Sequence, residues 1–368
     1  MSSLPSCRSL QNKLEIFSHS SLPSFVNFKF WKFPLIPNRF CHHKLLNKNV
    51  AFDQIPYELR EPFILHGYRP LTDFLGCIHS LFWLHNESFN CWSHILGIPM
   101  VLSYLFEEYI TFSANPIMCL YLFSCLCFVA GSSFAHTFCC CNRFTRDASF
   151  TVDYIGLAVF ACGSGIAYVT FSFPLEFSTK SGLFGFSFLN TYLIFLSFCC
   201  MLSIFQSVWT RTLPQSILRS VIRVGAFAGP GIIMSFPIFF KIISCYSAVA
   251  KYPPYYCDSA GIWPKQFLSC ITAILFYIFR FPECLYPGKF DYLGHSHNAF
   301  HIGALIGLHY QRIALSLDLK YTMTQSRSIT SVQIPLVCFS FLILSVLLTC
   351  IYFRHIFTVK PMSDSKRS

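Results

Sequence analysis

The sequence predicts an all-α integral membrane protein, and three observations indicate this fold class. Hydrophobic residues make up 54% of the 368 residues, and the mean hydropathy is +0.51. Charged residues make up only 12%, about half of the roughly 25% that soluble domains carry. The apolar residues form runs of about 20, the length that a helix needs to cross a roughly 30 Å hydrocarbon core. We therefore expect a bundle of membrane-spanning helices.

Eight apolar runs are long enough to be spans, and they predict a seven-span core with an eighth span at the carboxyl end. They lie near residues 94–112, 115–138, 151–174, 183–206, 221–243, 266–282, 297–317 and 333–353. Pro230 and Pro237 are expected to kink the fifth span, because proline cannot continue the helical hydrogen bonding. The simplest division is a basic, disordered tail at 1–50, a cytosolic pre-membrane segment at 51–93, one bundle at 94–354 and a cytosolic tail at 355–368.

The distribution of Lys and Arg predicts the orientation. With eight spans, both tails and the even-numbered loops face one side, and this side holds 20 of the 27 basic residues. The positive-inside rule therefore places the amino terminus in the cytosol. The same distribution excludes nucleic acid as a partner despite the net charge of +11, because the basic residues lie at the ends of apolar runs and not in one patch.

Most of the 19 cysteines lie inside apolar runs, which is typical of packing. Cys245 and Cys257 differ, since they flank a polar loop and can pair if that loop is extracytoplasmic. The run at 139–141 leaves three interpretations open, namely soft metal ligands, palmitoylated thiols or packing.

Ionisable residues inside spans indicate a functional site. His136 ends the second span, Asp153 lies near the start of the third, and His297 and His301 begin the seventh. Because spans two and three meet at the cytosolic side, where span seven also starts, these groups share one membrane depth. His297 and His301 are four residues apart and share a helix face, and Ser132 precedes His136 by the same interval.

Three converging imidazoles predict a Zn²⁺ site with a fourth position left open. Asp153 can orient a ligand or hold a water, and Ser132 can donate a hydrogen bond. Two alternatives stay open at this point. A histidine at a span end can be an ordinary interfacial residue, and His295 could replace His297 or His301 as a ligand.

Several stretches, in order along residues 56–312, resemble the progestin and adipoQ receptor family. They are Arg60-Glu61-Pro62-Phe63-Ile64, Gly67-Tyr68-Arg69-Pro70, His85-Asn86-Glu87-Ser88, Asn90-Cys91-Trp92-Ser93-His94, Ser132 to His136, Asp153-Tyr154 with Gly163-Ser164, Pro282-Glu283, Pro287-Gly288-Lys289-Phe290-Asp291 and Gly294 to His301. The resemblance implies a seven-span core with a cytosolic amino terminus. It also implies that His136, His297 and His301 hold zinc, with Asp153 and Ser132 close by.

The apolar run at 333–353 and the motif Gly294-His295-Ser296-His297 are closest to the membrane progestin receptor branch of that family. That branch implies a zinc-containing receptor that binds a steroid or similar lipid and signals to the cytosol, with a G protein as a possible partner. We expect the plasma membrane, with the Golgi or endoplasmic reticulum as alternatives.

Two other function classes remain open. The protein could be an intramembrane zinc-dependent hydrolase of a lipid amide such as ceramide, with Asp153 as general base or water holder and Ser132 beside it. The zinc could instead be a structural pin between spans two, three and seven.

Overall fold

The computed structural model describes residues 49–112, 115–178, 187–214, 216–247 and 252–325, together with 340, 343, 344, 346–349, 351 and 352. The ten α-helices of the continuous ranges are α1 (Phe74–Ser80), α2 (Ser88–Phe112), α3 (Pro116–Phe138), α4 (Arg143–Ala167), α5 (Leu175–Ser178), α6 (Phe188–Thr210), α7 (Ile217–Met234), α8 (Phe236–Tyr246), α9 (Trp263–Phe279) and α10 (Ser296–Thr324). A π-helical turn, Tyr168–Ser172, extends α4. No β-strand occurs in these ranges, so the all-α prediction is confirmed for them.

Five of these helices are long and apolar enough to cross a membrane. They are Ser88–Thr111, Pro116–Phe138, Arg143–Ser172, Phe188–Thr210 and Ile217–Met234. The helices α8 and α9 are apolar but shorter. The last helix, α10, has 29 residues and is therefore about 44 Å long, more than a bilayer core requires. Its histidine, glutamine and aspartate residues lower its apolar content.

The expected kink in the fifth span is a complete break. The helix α7 ends at Met234 and α8 begins at Phe236, with Ser235 between them. Pro237 explains the position of the break, because it has no N–H and its ring excludes the carbonyl group four residues earlier. The two helices together replace the single span predicted at 221–243.

Two helices start well before the residues that the apolar runs predict. The helix α2 begins at Ser88 instead of residue 94, and α4 begins at Arg143 instead of residue 151. Both extensions are polar, and tertiary contacts satisfy their side chains. Asp147, for example, accepts two hydrogen bonds from Arg211, at 2.8 and 2.5 Å. Residues 1–48 of the tail predicted at 1–50, the tail predicted at 355–368 and most of the eighth apolar run lie outside the described residues. The end of the first tail is ordered, since Val50 pairs with Tyr68.

The helices α3 and α4 are in close contact because small residues line their interface. A Cβ atom on Gly156 would lie 2.6 Å from the carbonyl oxygen of Cys127, and one on Gly163 would lie 2.3 Å from Ser124 Oγ. Such close approach is typical of membrane helices, which associate through packing since lipid gives no hydrophobic drive for helix pairing. This contact fixes α4 against the helix that ends at His136.

The end of the bundle away from His136 contains a buried ion pair. Lys241 Nζ lies 2.5 Å from Asp318 Oδ1, and the two side chains are 0% and 1% exposed. Ser259 donates to the same carboxylate oxygen at 2.5 Å, and Ser172 donates to the other. A buried charge pair needs such additional hydrogen bonds, because desolvation otherwise outweighs the attraction.

The cysteine pair predicted from the polar loop is confirmed. Cys245, near the end of α8, and Cys257 form a disulfide that closes the segment beside the buried ion pair. The other cysteines described by the structure are free.

The α3–α4 contact gives a first prediction. We expect Gly156→Ala to lower the melting temperature of the purified protein, because overpacking a tight interface costs about 1–3 kcal/mol. Gly225→Ala in α7 is the matched control, since a Cβ there meets nothing within 4 Å. Alanine at position 225 should leave the melting temperature equal or higher. Equal melting temperatures for the two variants would contradict the close contact.

Candidate functional site

The three histidines named from the sequence meet at one end of the bundle. His136 lies in the last turn of α3, and His297 and His301 lie in the first two turns of α10. One possible ligand atom from each falls within 4.8 Å of the others. His136 Nε2 and His297 Nε2 are 3.2 Å apart. His136 and His301 are buried, and His297 is half-buried. We call this group the histidine triad.

The histidine triad fits a tetrahedral Zn²⁺ ion. Zinc–nitrogen bonds of 2.0–2.1 Å at tetrahedral angles separate ligand nitrogens by about 3.3 Å. The measured 3.2 Å between His136 and His297 agrees with that separation. The donor set, three imidazoles without a carboxylate, is also one that zinc accepts with a fourth position left free.

Glu87 fixes the tautomer of His136. Its Oε2 atom lies 2.8 Å from His136 Nδ1 and also accepts a hydrogen bond from Asn90 Nδ2 at 2.7 Å. The two hydrogen bonds that Oε2 accepts favour the ionised form of the Glu87 carboxyl, and His136 faces it as a neutral imidazole. An ionised carboxylate only accepts, so Nδ1 donates and Nε2 keeps its lone pair.

Ser93 fixes the tautomer of His301, as Glu87 fixes that of His136. Its hydroxyl donates to the carbonyl oxygen of Asn90 at 3.1 Å, so it accepts from His301 Nδ1 at 2.8 Å. The lone pair of His301 is therefore on Nε2 as well. Partners of this kind orient metal-ligating histidines in known sites. Asn90 connects the whole arrangement to α10, since Asn298 donates to its side-chain oxygen at 2.7 Å.

Arg69 stabilises the carboxyl end of α3. Its guanidinium group donates to the carbonyl oxygens of His136 and Thr137, at 2.6 and 2.9 Å, and to Ser80 Oγ at 2.8 Å. The last carbonyl groups of a helix have no partner within the helix, and a cation there also complements the helix dipole. Arg69 therefore holds the turn that carries His136.

Asp153 and Ser132 lie beside the histidine triad without bonding to it. The backbone of Asp153 packs against α3 at Gly131, where an added Cβ would lie 3.4 Å from Asp153 Cα. Ser132 is buried one turn before His136. In the described part of the chain, no hydrogen bond joins either side chain to the three histidines.

His295, the alternative ligand, lies outside the histidine triad. It is the residue before α10, and its Nε2 faces the carbonyl oxygen of Asn86 at 3.2 Å and Asn298 Nδ2 at 3.1 Å. Its ring nitrogen is therefore engaged with neighbouring polar groups. The geometry favours His297 and His301, as the helix-face argument predicts.

His94 is a further member of the site that the sequence analysis names only as part of a family motif. Its ring stacks on His301 at 4.0 Å between centroids. The residue is 1% exposed, and neither ring nitrogen has a hydrogen-bond partner in the described residues. The signal for this face was present in the sequence, because positions 87, 90 and 94 have helical spacing. This spacing indicates a shared helix face only if α2 is extended back to residue 88.

Comparison with known proteins agrees with these features. The Haemolysin-III related family matches residues 82–312. "Membrane progestin receptor gamma" of Homo sapiens is 32% identical over 281 residues, which cover 74% of this chain and 82% of that protein. "Membrane progestin receptor delta" of Mus musculus is 29% identical, covering 77% and 81%. "Adiponectin receptor protein" of Drosophila melanogaster is 29% identical, covering 74% and 59%. This chain therefore belongs to the Haemolysin-III related family, the family of progestin and adipoQ receptors that its sequence motifs indicate.

Proposed function

We propose that the chain is a zinc-containing membrane receptor that binds a steroid or similar lipid and signals to the cytosol. The zinc is supported by the histidine triad, in which one possible ligand atom of each residue lies within 4.8 Å of the others and the partners of His136 and His301 at Nδ1 leave Nε2 free to bind a metal. The ligand class rests on the similarity to membrane progestin receptors over about three quarters of the chain. A G protein is the proposed cytosolic partner, and the plasma membrane is the proposed location.

We further propose seven core spans, formed by α2, α3, α4, α6, the pair α7 and α8, α9 and α10. An eighth is proposed at 333–353, where the residues that the structure describes are helical. The proposed cytosolic amino terminus is supported by the count of basic residues. The cysteines support it too, because the disulfide of Cys245 lies at the opposite end of the bundle from the free thiols at 139–141.

A second function, zinc-dependent hydrolysis of a lipid amide, is favoured by one observation. Asp153 packs against α3 at Gly131, five residues before His136, and no described hydrogen bond joins it to the three histidines, so its carboxylate can serve a substrate or a water. Zinc, when bound, supplies Lewis-acid polarisation of a carbonyl group and activation of water. In that function Asp153 accepts a proton from the water, and Ser132 donates a hydrogen bond at the same depth.

Metal content tests the first proposal. We expect about one zinc per chain in purified wild-type protein, and a loss of most of it in the double variant His297→Ala, His301→Ala, measured by elemental mass spectrometry. His309→Ala is the matched control, since His309 lies on the same helix but is exposed and bonds to Tyr104. Well-folded wild type without zinc would refute the metal site.

Glu87 gives a separate prediction. Glu87→Gln removes the charged acceptor that fixes His136, and we expect zinc affinity to fall by about 10–100-fold. Competition with a chelator measures it. Glu107→Gln is the control, because Glu107 lies at the other end of α2 and its side chain is 57% exposed. Unchanged zinc affinity in Glu87→Gln would show that Glu87 does not support the metal.

Asp153→Asn separates receptor from hydrolase. The substitution keeps the shape of the side chain and removes its charge. We expect ceramide hydrolysis, if present, to be lost while steroid binding is retained. Asp258→Asn, at the exposed loop beside the disulfide, is the control. Loss of both activities in Asp153→Asn would indicate a structural role for the carboxylate.

A further inference from the structure

Four free thiols gather where α3 ends. Cys77 lies on α1, and Cys139, Cys140 and Cys141 follow α3 directly. All are buried, from 0% exposed for Cys77 to 8% for Cys141. Cys77, Cys140 and Cys141 form a small apolar cluster with Phe138. This burial favours packing over palmitoylation, which needs a thiol that an enzyme can reach.

Two of these sulfur atoms are already in contact. Cys77 Sγ and Cys140 Sγ are 3.5 Å apart and share a hydrogen bond. A disulfide requires about 2.05 Å, so the sulfurs need to approach by roughly 1.5 Å. The backbones are held together beside them, since the N–H of Thr72 donates to the carbonyl oxygen of Cys140 at 3.2 Å. This hydrogen bond keeps the two chain segments adjacent while the sulfur atoms approach.

The remaining contacts shift the pKa values of Cys77 and Cys140 in opposite directions. The hydrogen bond from Cys77 lowers the pKa of Cys140 to about 7, against the effect of burial and with help from the charge of Arg69. The hydrogen bonds of Cys77 to Cys140 and Cys141 raise its own pKa. Cys140 is therefore the thiol of the pair that ionises more easily. A thiolate is the nucleophilic form of cysteine.

We propose that Cys77 and Cys140 are a peroxide-responsive pair that forms a reversible disulfide between α1 and the end of α3. The thiols lie at the end of the bundle proposed above to face the cytosol, where cellular reductants keep them reduced at rest. Their burial admits a small oxidant such as hydrogen peroxide more easily than a bulky disulfide. The proposal rests on this sulfur geometry and on the proposed cytosolic orientation, and it does not depend on the zinc or the receptor activity.

The reaction balances in two steps. The Cys140 thiolate attacks one peroxide oxygen, the O–O bond breaks, and the other oxygen takes up a proton and leaves as water. Cys140 is then a sulfenic acid. The Cys77 sulfur attacks the sulfur of Cys140, the S–O bond breaks, and the hydroxyl leaves as a second water with the proton of Cys77. Two thiols and one peroxide thus give one disulfide and two waters.

The disulfide would reinforce a connection that already exists. Arg69 bonds to Ser80 on α1 and to the carbonyl oxygens at the end of α3. A covalent bond from Cys77 to Cys140 joins the same two elements. Cys139 is not the proposed partner, because its sulfur accepts from Arg69 at 3.1 Å.

Peptide mapping tests the pair in the full-length protein. The protein is purified reduced, treated with hydrogen peroxide, alkylated and digested without reductant, and cross-linked peptides are identified by mass spectrometry. We expect a Cys77–Cys140 link that dithiothreitol removes. The native Cys245–Cys257 disulfide is the internal control for detection of linked peptides.

Variants resolve which sulfur reacts. The link should persist in the double variant Cys139→Ser, Cys141→Ser and in the control Cys284→Ser, whose cysteine is free and half-buried elsewhere. It should be absent in Cys77→Ser. A folded wild-type protein whose Cys140 is oxidised to a sulfinic acid without a link would overturn the proposal. So would a wild-type link from Cys77 to Cys141 alone.

Discussion

The hydrogen bond from His136 to Glu87 is the constraint on which the rest of the site depends. An imidazole inside a bundle has no bulk water to satisfy it, and its two nitrogens differ only through what the protein places beside them. Glu87 determines that the nitrogen facing His297 is unprotonated. Because Glu87 immediately precedes α2 and His136 ends α3, the same bond fixes the relative position of two helices.

Asn90 extends this constraint to the third helix. It donates to Glu87, and it accepts from Asn298 in α10. Helices in lipid gain little from apolar contact with one another, so buried polar contacts of this kind and close packing determine how they associate. Both kinds of contact hold helices together in this bundle. Glycines allow close packing of α3 and α4, and buried polar residues join α2, α3 and α10.

The two ends of the bundle differ chemically in a way that agrees with the charge distribution. One end carries the histidine triad and free thiols, and the other carries a disulfide and the buried pair of Lys241 and Asp318. Disulfides persist in oxidising compartments and free thiols in reducing ones. The count of basic residues, which is independent of cysteine chemistry, indicates the same orientation.

The sequence predicts the parts of this structure that depend on one helix at a time. Apolar length identifies the five candidate spans, and proline predicts a distortion of the fifth apolar run, where the structure shows a break before Pro237. Helical spacing with alternating span direction predicts that His136, His297 and His301 come together. Prediction from the sequence is wrong where a polar segment is stabilised by another segment far away along the chain. The first turn of α2 looks like a loop because Asn90 is polar, yet its partner Asn298 lies 208 residues away. For that reason the sequence does not indicate Glu87 and His94 as site residues, although their helical spacing is clear once α2 is extended back to Ser88.

The two proposed functions, receptor and hydrolase, need the same three histidines. They differ in the polar side chains that surround these histidines. A structural or regulatory metal is best served by a site whose other polar groups are all engaged by protein. Here Glu87, Ser93 and Asn90 are engaged, but Asp153 is not bonded to the histidine triad and the ring nitrogens of His94 have no partner in the described residues. Buried polar groups without partners are costly, and they persist in proteins where a ligand or water satisfies them. If the chain binds a lipid as proposed, the ring nitrogens of His94 are therefore the place for a polar group of that lipid, whether the lipid is released unchanged or cleaved.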